Sequence, residues 1–275
     1  MPVFPFRQLD VFSHRAGAGN PLAVVHQADG LDDAAMAGFA NWTNLSETVF
    51  LLPPTQVAAD YRVRIFTPMS ELPFAGHPTL GACHAWLEAG GVPKGEVIVQ
   101  ECGAGLVRIR REGARLAFSA PEMAQEDVAP EGYPRLAAAL GISPGAIRAA
   151  RRLSALAPRW IGVLLASRDE VLAVRVDRAV LGDMDIGVVA PWPGGDADFE
   201  VRAFSPEIAT EDPVTGSLNA GLARWLIGAG LAPPRYTVSQ GTCLGRAGRV
   251  FVAREGTAFW IGGESVTCIE GRLML

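Results

Sequence analysis

The sequence predicts an α+β protein of two pseudo-symmetric domains, each a curled mixed β-sheet around a central helix. Three observations predict it: a repeated segment, a helix in each copy that is apolar on nearly every side, and short strands between turns through most of the remaining chain.

The repeat comes first. Residues 64–91 read RIFTPMSELPFAGHPTLGACHAWLEAGG, and residues 202–230 read RAFSPEIATEDPVTGSLNAGLARWLIGAG. Arg64, Phe66 and Pro68 match Arg202, Phe204 and Pro206. Pro73 and Gly76 match Pro213 and Gly216, and Trp86-Leu87 match Trp225-Leu226. The shared order of strand, proline-containing loop, glycine and apolar helix marks an internal duplication.

Each copy opens with alternating residues, Tyr61, Val63, Ile65 and then Phe199, Val201, Ala203, the mark of a strand. The helices are expected near Thr79–Ala89 and Leu218–Ala229. A helix apolar all round belongs inside a domain, and Gly81 and Gly221 permit a surrounding sheet to approach closely. Further helices are expected at 32–41 and 133–140. Strands are expected at 6–12, 22–26, 48–51, 97–101, 106–110, 114–119, 160–165, 171–176, 186–190, 236–240, 249–254 and 258–262. The polar, proline-rich stretch PEMAQEDVAPEGYP places the boundary near 120–130, giving domains 1–119 and 120–275.

With 275 residues, 49% hydrophobic and 19% charged, the chain can bury a large core. Its net charge of -5 and its one short basic cluster, Arg148 with Arg151 and Arg152, point away from nucleic acid; that cluster reads as a solvated helix or loop face. No apolar run approaches the ~20 residues a membrane-spanning helix needs, and the first residues lack a signal-peptide core, so a cytoplasmic protein is expected. Cys83, Cys102, Cys243 and Cys268 form no C-x-x-C pair and read as buried thiols. His77 and His84 are spaced too far apart on one helix to share a metal, and no metal site is expected.

The candidate chemistry gathers at the helix starts. Gly76-His77 stands at one and Gly216-Ser217 at the other. Helix N-termini offer unpaired N–H groups and partial positive charge, so a cleft receiving both starts suits a carboxylate. The plainer readings are that Ser217 is an N-cap and His77 a loop residue. Asp212, in Glu211-Asp212-Pro213, and Glu71, in Glu71-Leu72-Pro73, are acidic residues before helices, which also serve as ordinary caps. Glu47, if its segment is extended, shares a face with Leu45, Val49 and Leu51; desolvation there raises a carboxyl pKa toward what a general acid/base needs. Otherwise it is an exposed residue at a strand's beginning. Glu47 has no recognisable counterpart in the second half. Asn20, in Gly17-Ala18-Gly19-Asn20-Pro21, is a turn residue or a loop donor to a ligand.

Gly19-Asn20-Pro21-Leu22-Ala23-Val24-Val25, Asn44-Leu45-Ser46-Glu47-Thr48, Glu71 through Gly81, Glu211 through Ser217, and Gln240-Gly241 together resemble the PhzF-like isomerase family of phenazine biosynthesis. The resemblance implies a diaminopimelate-epimerase-like fold with the active site between two related domains. It implies commonly dimeric proteins with no metal or organic cofactor. It also implies a glutamate matching Glu47 that moves a proton in an allylic isomerisation, with His77, Asp212 and Ser217 in the same pocket and the backbone at Gly76 and Gly216 holding the ligand. Related racemases place a cysteine at each helix start. Here His77 and Ser217 stand there and Cys83 falls inside the helix, which disfavours a two-cysteine mechanism.

The reading that follows is cofactor-independent proton-transfer isomerisation of a small carboxylate by a homodimer. Glu47, His77 and Asp212 would be catalytic, and Asn20, Gly76, Gly216 and Ser217 would bind substrate. The alternatives are an epimerase or racemase of an amino or hydroxy acid, and a catalytically silent metabolite-binding protein.

Overall fold

The computed structural model describes residues 2–154, 159–206 and 211–275. The chain divides into two units, residues 1–119 with 262–275, and residues 120–261.

The first unit contains β1 (Val3–Val11), β2 (Asn20–Val25), α1 (Asp33–Thr43), β3 (Thr48–Leu52), β4 (Tyr61–Phe66), the short β5 (Glu71–Leu72), α2 (Gly76–Glu88), β6 (Ile98–Cys102), β7 (Gly105–Glu112) and β8 (Arg115–Ser119). The second contains β9 (Ala124–Asp127), α3 (Tyr133–Leu140), β10 (Ala149–Ser154), β11 (Trp160–Leu164), α4 (Arg168–Ala173), α5 (Arg178–Leu181), β12 (Ile186–Pro191), β13 (Phe199–Phe204), α6 (Gly216–Gly228), β14 (Arg235–Gln240), β15 (Gly248–Glu255) and all but the last two residues of β16 (Ala258–Gly263). The last strand, β17 (Ser265–Met274), returns to the first unit and pairs antiparallel with β1.

The duplication is written in the pairing. In the first unit β1–β2 is antiparallel, β2–β3 parallel, β3–β4 antiparallel, β4–β6 parallel and β6–β7 antiparallel. In the second unit β10–β11, β11–β12, β12–β13, β13–β14 and β14–β15 repeat that alternation in order. Each unit wraps its sheet around one helix. The N-terminal two turns of α2 are buried from Gly76 through Cys83, and α6 is buried at most positions. A Cβ at Gly81 would overlap Leu22 of β2, and one at Gly221 would come within 2.8 Å of Leu153 of β10, so both glycines are what lets helix and sheet touch.

Several expectations are corrected. The second unit ends at 261 rather than 275, because β17 finds its hydrogen-bond partner in β1. The strand expected at 171–176 is instead helical through Ala173. Ser167 accepts from the Glu170 amide at 3.3 Å and Glu170 Oε2 accepts from the Ala166 amide at 3.0 Å, so the Ser-x-x-Glu start outweighs the valines that follow. Strands β9, β10 and β17 were not expected. Arg151 and Arg152 therefore lie on a strand and not on a helix or loop face, with Arg151 Nη2 2.6 Å from Asp127 of β9. Cys83 and Cys102 are buried, but Cys243 and Cys268 are exposed; all four thiols are free.

Candidate active site

In the first unit, Asn20, Glu47, Gly76 and His77 come together. Asn20 opens β2 and is fully buried. Asn44 ends α1 in the left-handed conformation, φ 54°, and turns the chain so that Glu47 directly precedes β3. Gly76 and His77 are the first two residues of α2, whose N-terminus no side chain caps. Glu47 Oε2 lies 3.4 Å from His77 Nδ1, and the Asn20 side-chain amide lies 3.5 Å from the same nitrogen. The Glu47 and His77 side chains are 16% and 5% exposed.

His77 is neutral at physiological pH. Burial pulls its pKa down to about 3, and the bond to the Pro21 carbonyl offsets this only in part. The contact with Glu47 is therefore not an ion pair. Nδ1 cannot both donate to Glu47 and accept from Asn20, so the tautomer decides which of the two is a hydrogen bond. His77 Nε2 is buried and has no hydrogen-bond partner in the protein, a costly condition unless something bonds it. Cys83, further along α2, is ill suited to proton transfer, because burial pushes its thiol up to about 12.

In the second unit, Asp212, Gly216 and Ser217 gather at the start of α6. Asp212 bridges to Ala203 of β13, its amide donating to the Ala203 carbonyl at 3.0 Å. Its Oδ2 accepts from Thr215 Oγ1 at 2.5 Å. Thr215, not Ser217, precedes the helix. Ser217 is inside the first turn, and its Oγ accepts from the Trp160 indole at 3.0 Å, leaving its own proton to donate.

The residue that organises this group is Gln240, at the end of β14. Its Nε2 donates to Thr215 Oγ1 at 2.9 Å and to the Asp212 carbonyl at 3.2 Å. Its Oε1 accepts from the Thr215 amide at 3.1 Å and from Asn219 Nδ2 at 3.0 Å. In the first unit Gln100 likewise donates to Thr79 Oγ1 of α2 at 3.0 Å. A signal existed: Gly76 to Gln100 and Gly216 to Gln240 are the same interval of 24 residues.

The sequence reading set Glu71 beside Asp212, and the register separates them. Leu72 pairs with Ile65 as Asp212 bridges to Ala203. Glu71 therefore corresponds to Glu211, and each makes the same bond: Glu71 holds Arg64 at 2.6 and 2.7 Å, and Glu211 holds Arg202 at 2.8 and 3.0 Å. Asp212 stands where the first copy has leucine. Glu47 does have a topological counterpart. Asp185 precedes β12, and the registers Ile161–Ile186 and Ile186–Phe204 repeat Ala23–Thr48 and Thr48–Phe66. Among the described residues no three His, Cys, Asp or Glu side chains converge as metal ligands.

Residues 9–271 match the family model of phenazine biosynthesis-like proteins, PhzC-PhzF. The chain belongs to this family. It is similar to Antisense-enhancing sequence 1 of Schizosaccharomyces pombe, 37% identical with 97% of each chain covered. It is also similar to the trans-2,3-dihydro-3-hydroxyanthranilate isomerase of Pseudomonas aeruginosa, 33% identical over 97% of this chain and 98% of that one. Among solved structures, a PhzF-family phenazine biosynthesis protein of Bacillus anthracis superposes with a TM-score of 0.87 at 22% identity, covering 100% of both chains. A probable proline racemase from Agrobacterium radiobacter shares the fold at a TM-score of 0.65 and 13% identity, over 99% of this chain and 93% of that one. The protein is thus an α+β member of the PhzF-like isomerase family, with a fold that racemases also use.

Proposed function

We propose that this PhzF-like isomerase moves a proton between two carbons of a small carboxylate-bearing metabolite, with Glu47 as the carrier. The observation that carries the reading is the group at the start of α2: a largely buried carboxylate 3.4 Å from a neutral imidazole whose Nε2 has no partner in the protein. In an allylic shift, the Glu47 carboxylate takes the proton from one carbon, the double bond moves, and the resulting carboxylic acid returns the proton to the far carbon. No atom is gained or lost and no redox partner is required. Charge building on the substrate in between is met by the uncapped N–H groups at Gly76 and His77. Neutral His77 presents Nε2 to a substrate donor, or in its other tautomer donates to a developing oxyanion.

Asp212, in a slot that the first copy fills with leucine, serves this chemistry rather than the fold. Asn20, Gly216 and the free proton of the Ser217 hydroxyl bind the substrate. The scheme needs no metal or organic cofactor. The Pseudomonas relative is named for trans-2,3-dihydro-3-hydroxyanthranilate, and that carboxylate is the first substrate to try. The test is incubation of the wild-type enzyme in heavy water with this compound and a panel of unsaturated small carboxylates, followed by NMR. Deuterium appearing at the far carbon, the one that receives the proton as the double bond moves, supports the reading. Tight binding across the panel with no exchange and no turnover refutes it.

A further inference from the structure

Trp160 opens β11 and is 3% exposed, beside the buried hydrocarbons Ile161 and Val163. A phenylalanine would fill such a place without a polar atom to satisfy. A buried indole N–H costs stability unless something accepts from it. The Trp160 indole finds its acceptor in Ser217 Oγ, 3.0 Å away and 57 positions along the chain. The bond joins a core strand to the first turn of α6, whose N-terminus no side chain caps.

This bond changes what Ser217 can do. A helical serine often turns its hydroxyl back onto the carbonyl four residues earlier, which here is that of Pro213. Among the described residues nothing accepts the Ser217 proton, that carbonyl included. An indole N–H aimed at Oγ excludes the rotamer that points the hydroxyl proton at it. An oxygen that accepts one hydrogen bond also donates the next more strongly. Ser217 keeps partial exposure, so a ligand can reach the hydroxyl that the indole holds.

The first unit uses the same arrangement with different residues. Asn20 opens β2, which lies between β1 and β3 as β11 lies between β10 and β12. Its side-chain nitrogen lies 3.5 Å from His77 Nδ1. His77 and Ser217 are each the second residue of their helix. In both units, the side chain after the helix-opening glycine lies against a nitrogen from the first residue of that strand.

We propose that Trp160 is a positioning residue for substrate: its N–H holds Ser217 Oγ so that the serine proton is presented to the substrate carboxylate. The proposal rests on the reading of Ser217 as a substrate-binding residue. Trp160 is buried and acts only through that hydroxyl.

A double-mutant cycle on the full chain tests it, with thermal melts confirming that each variant is folded. Trp160→Phe removes the N–H. A second variant carries benzothienylalanine at position 160 (sulfur in place of the N–H) and keeps the ring's size. Binding of trans-2,3-dihydro-3-hydroxyanthranilate is read by calorimetry, and kcat and KM from its turnover. Ser217→Ala weakens binding and raises KM about 10-fold, the worth of one hydrogen bond to a charged group. Each Trp160 variant raises KM at least ~4-fold and leaves kcat within about 2-fold, the pattern of lost binding. In the Ser217→Ala background the same changes at Trp160 move KM less than ~2-fold, because the group they act through is gone. A tryptophan that only packs the core would act equally in both backgrounds. Equal effects in both backgrounds, or a normal KM in folded Trp160 variants while Ser217→Ala is impaired, overturn the role of Trp160 alone. Unchanged binding in Ser217→Ala overturns it together with the placement of Ser217 in the substrate site. The proton-carrier reading is decided separately, by Glu47→Gln.

Discussion

Asp212 and Leu72 hold equivalent places in two copies of one motif, yet one is a carboxylate and the other a hydrocarbon. Burying a carboxylate at 7% exposure costs stability unless hydrogen bonds meet it, and here Thr215 and the Gln240 scaffold are built around it. A cap would not need this. Asp212→Asn, which keeps the shape and loses the charge, should lower kcat about 100-fold while leaving the thermal midpoint nearly unchanged; unchanged turnover would make Asp212 structural. The neighbouring glutamates divide the other way. Glu211 is buried against Arg202, and burial raises its pKa more than the guanidinium lowers it. Removing its charge strands Arg202, so Glu211→Gln should cost about 3 kcal/mol in urea unfolding, whereas Glu71→Gln, at a more exposed pair, should cost under ~1 kcal/mol. Equal losses would contradict that ranking. The residue types here were legible in the sequence, but the equivalence of Glu71 with Glu211 was not. A gap in the repeat alignment can be placed in several ways, and only strand register fixes it.

The central helices were the most legible elements because their burial on all sides leaves no polar stripe to confuse the pattern. The expected 79–89 and 218–229 begin instead at Gly76 and Gly216, which moves His77 and Ser217 from the loop into the first helical turn. The close approach at Gly81 makes a sharp prediction. Gly81→Ala adds a methyl group that meets Leu22 and Val11, and it should destabilise by about 1–3 kcal/mol despite alanine's better helix propensity. A melt at or above the wild-type temperature would show that the sheet yields. β17 was illegible for a different reason. Its glycine and charges interrupt any alternation, and its partner lies far away in the chain: Arg7 meets Glu270 across 263 positions. Local patterns carry no trace of such a pairing.

At the scale of the whole molecule, two neutral buried histidines tie stability to pH. His26 is held at about 4, mainly by burial and then by Arg7, and His77 at about 3 by burial. Both values lie below the 6.5 of an unfolded histidine, so below that pH the unfolded chain binds protons that the folded one refuses. Stability is therefore full above pH ~6.5 and declines as pH falls toward 4. Urea midpoints between pH 7 and 4 should drop, and His26→Gln should flatten part of that slope; an unchanged slope would remove His26 from the account.

The central claim concerns Glu47, and one comparison tests it most directly. Wild type and Glu47→Gln are incubated in heavy water with a substrate that the wild type turns over, and deuterium incorporation is followed by NMR. The account predicts that the variant folds and binds the substrate within a few-fold of wild type while exchange and isomerisation fall by at least ~100-fold. Exchange at the wild-type rate in the folded variant would contradict it, and the proton carrier would have to be another group.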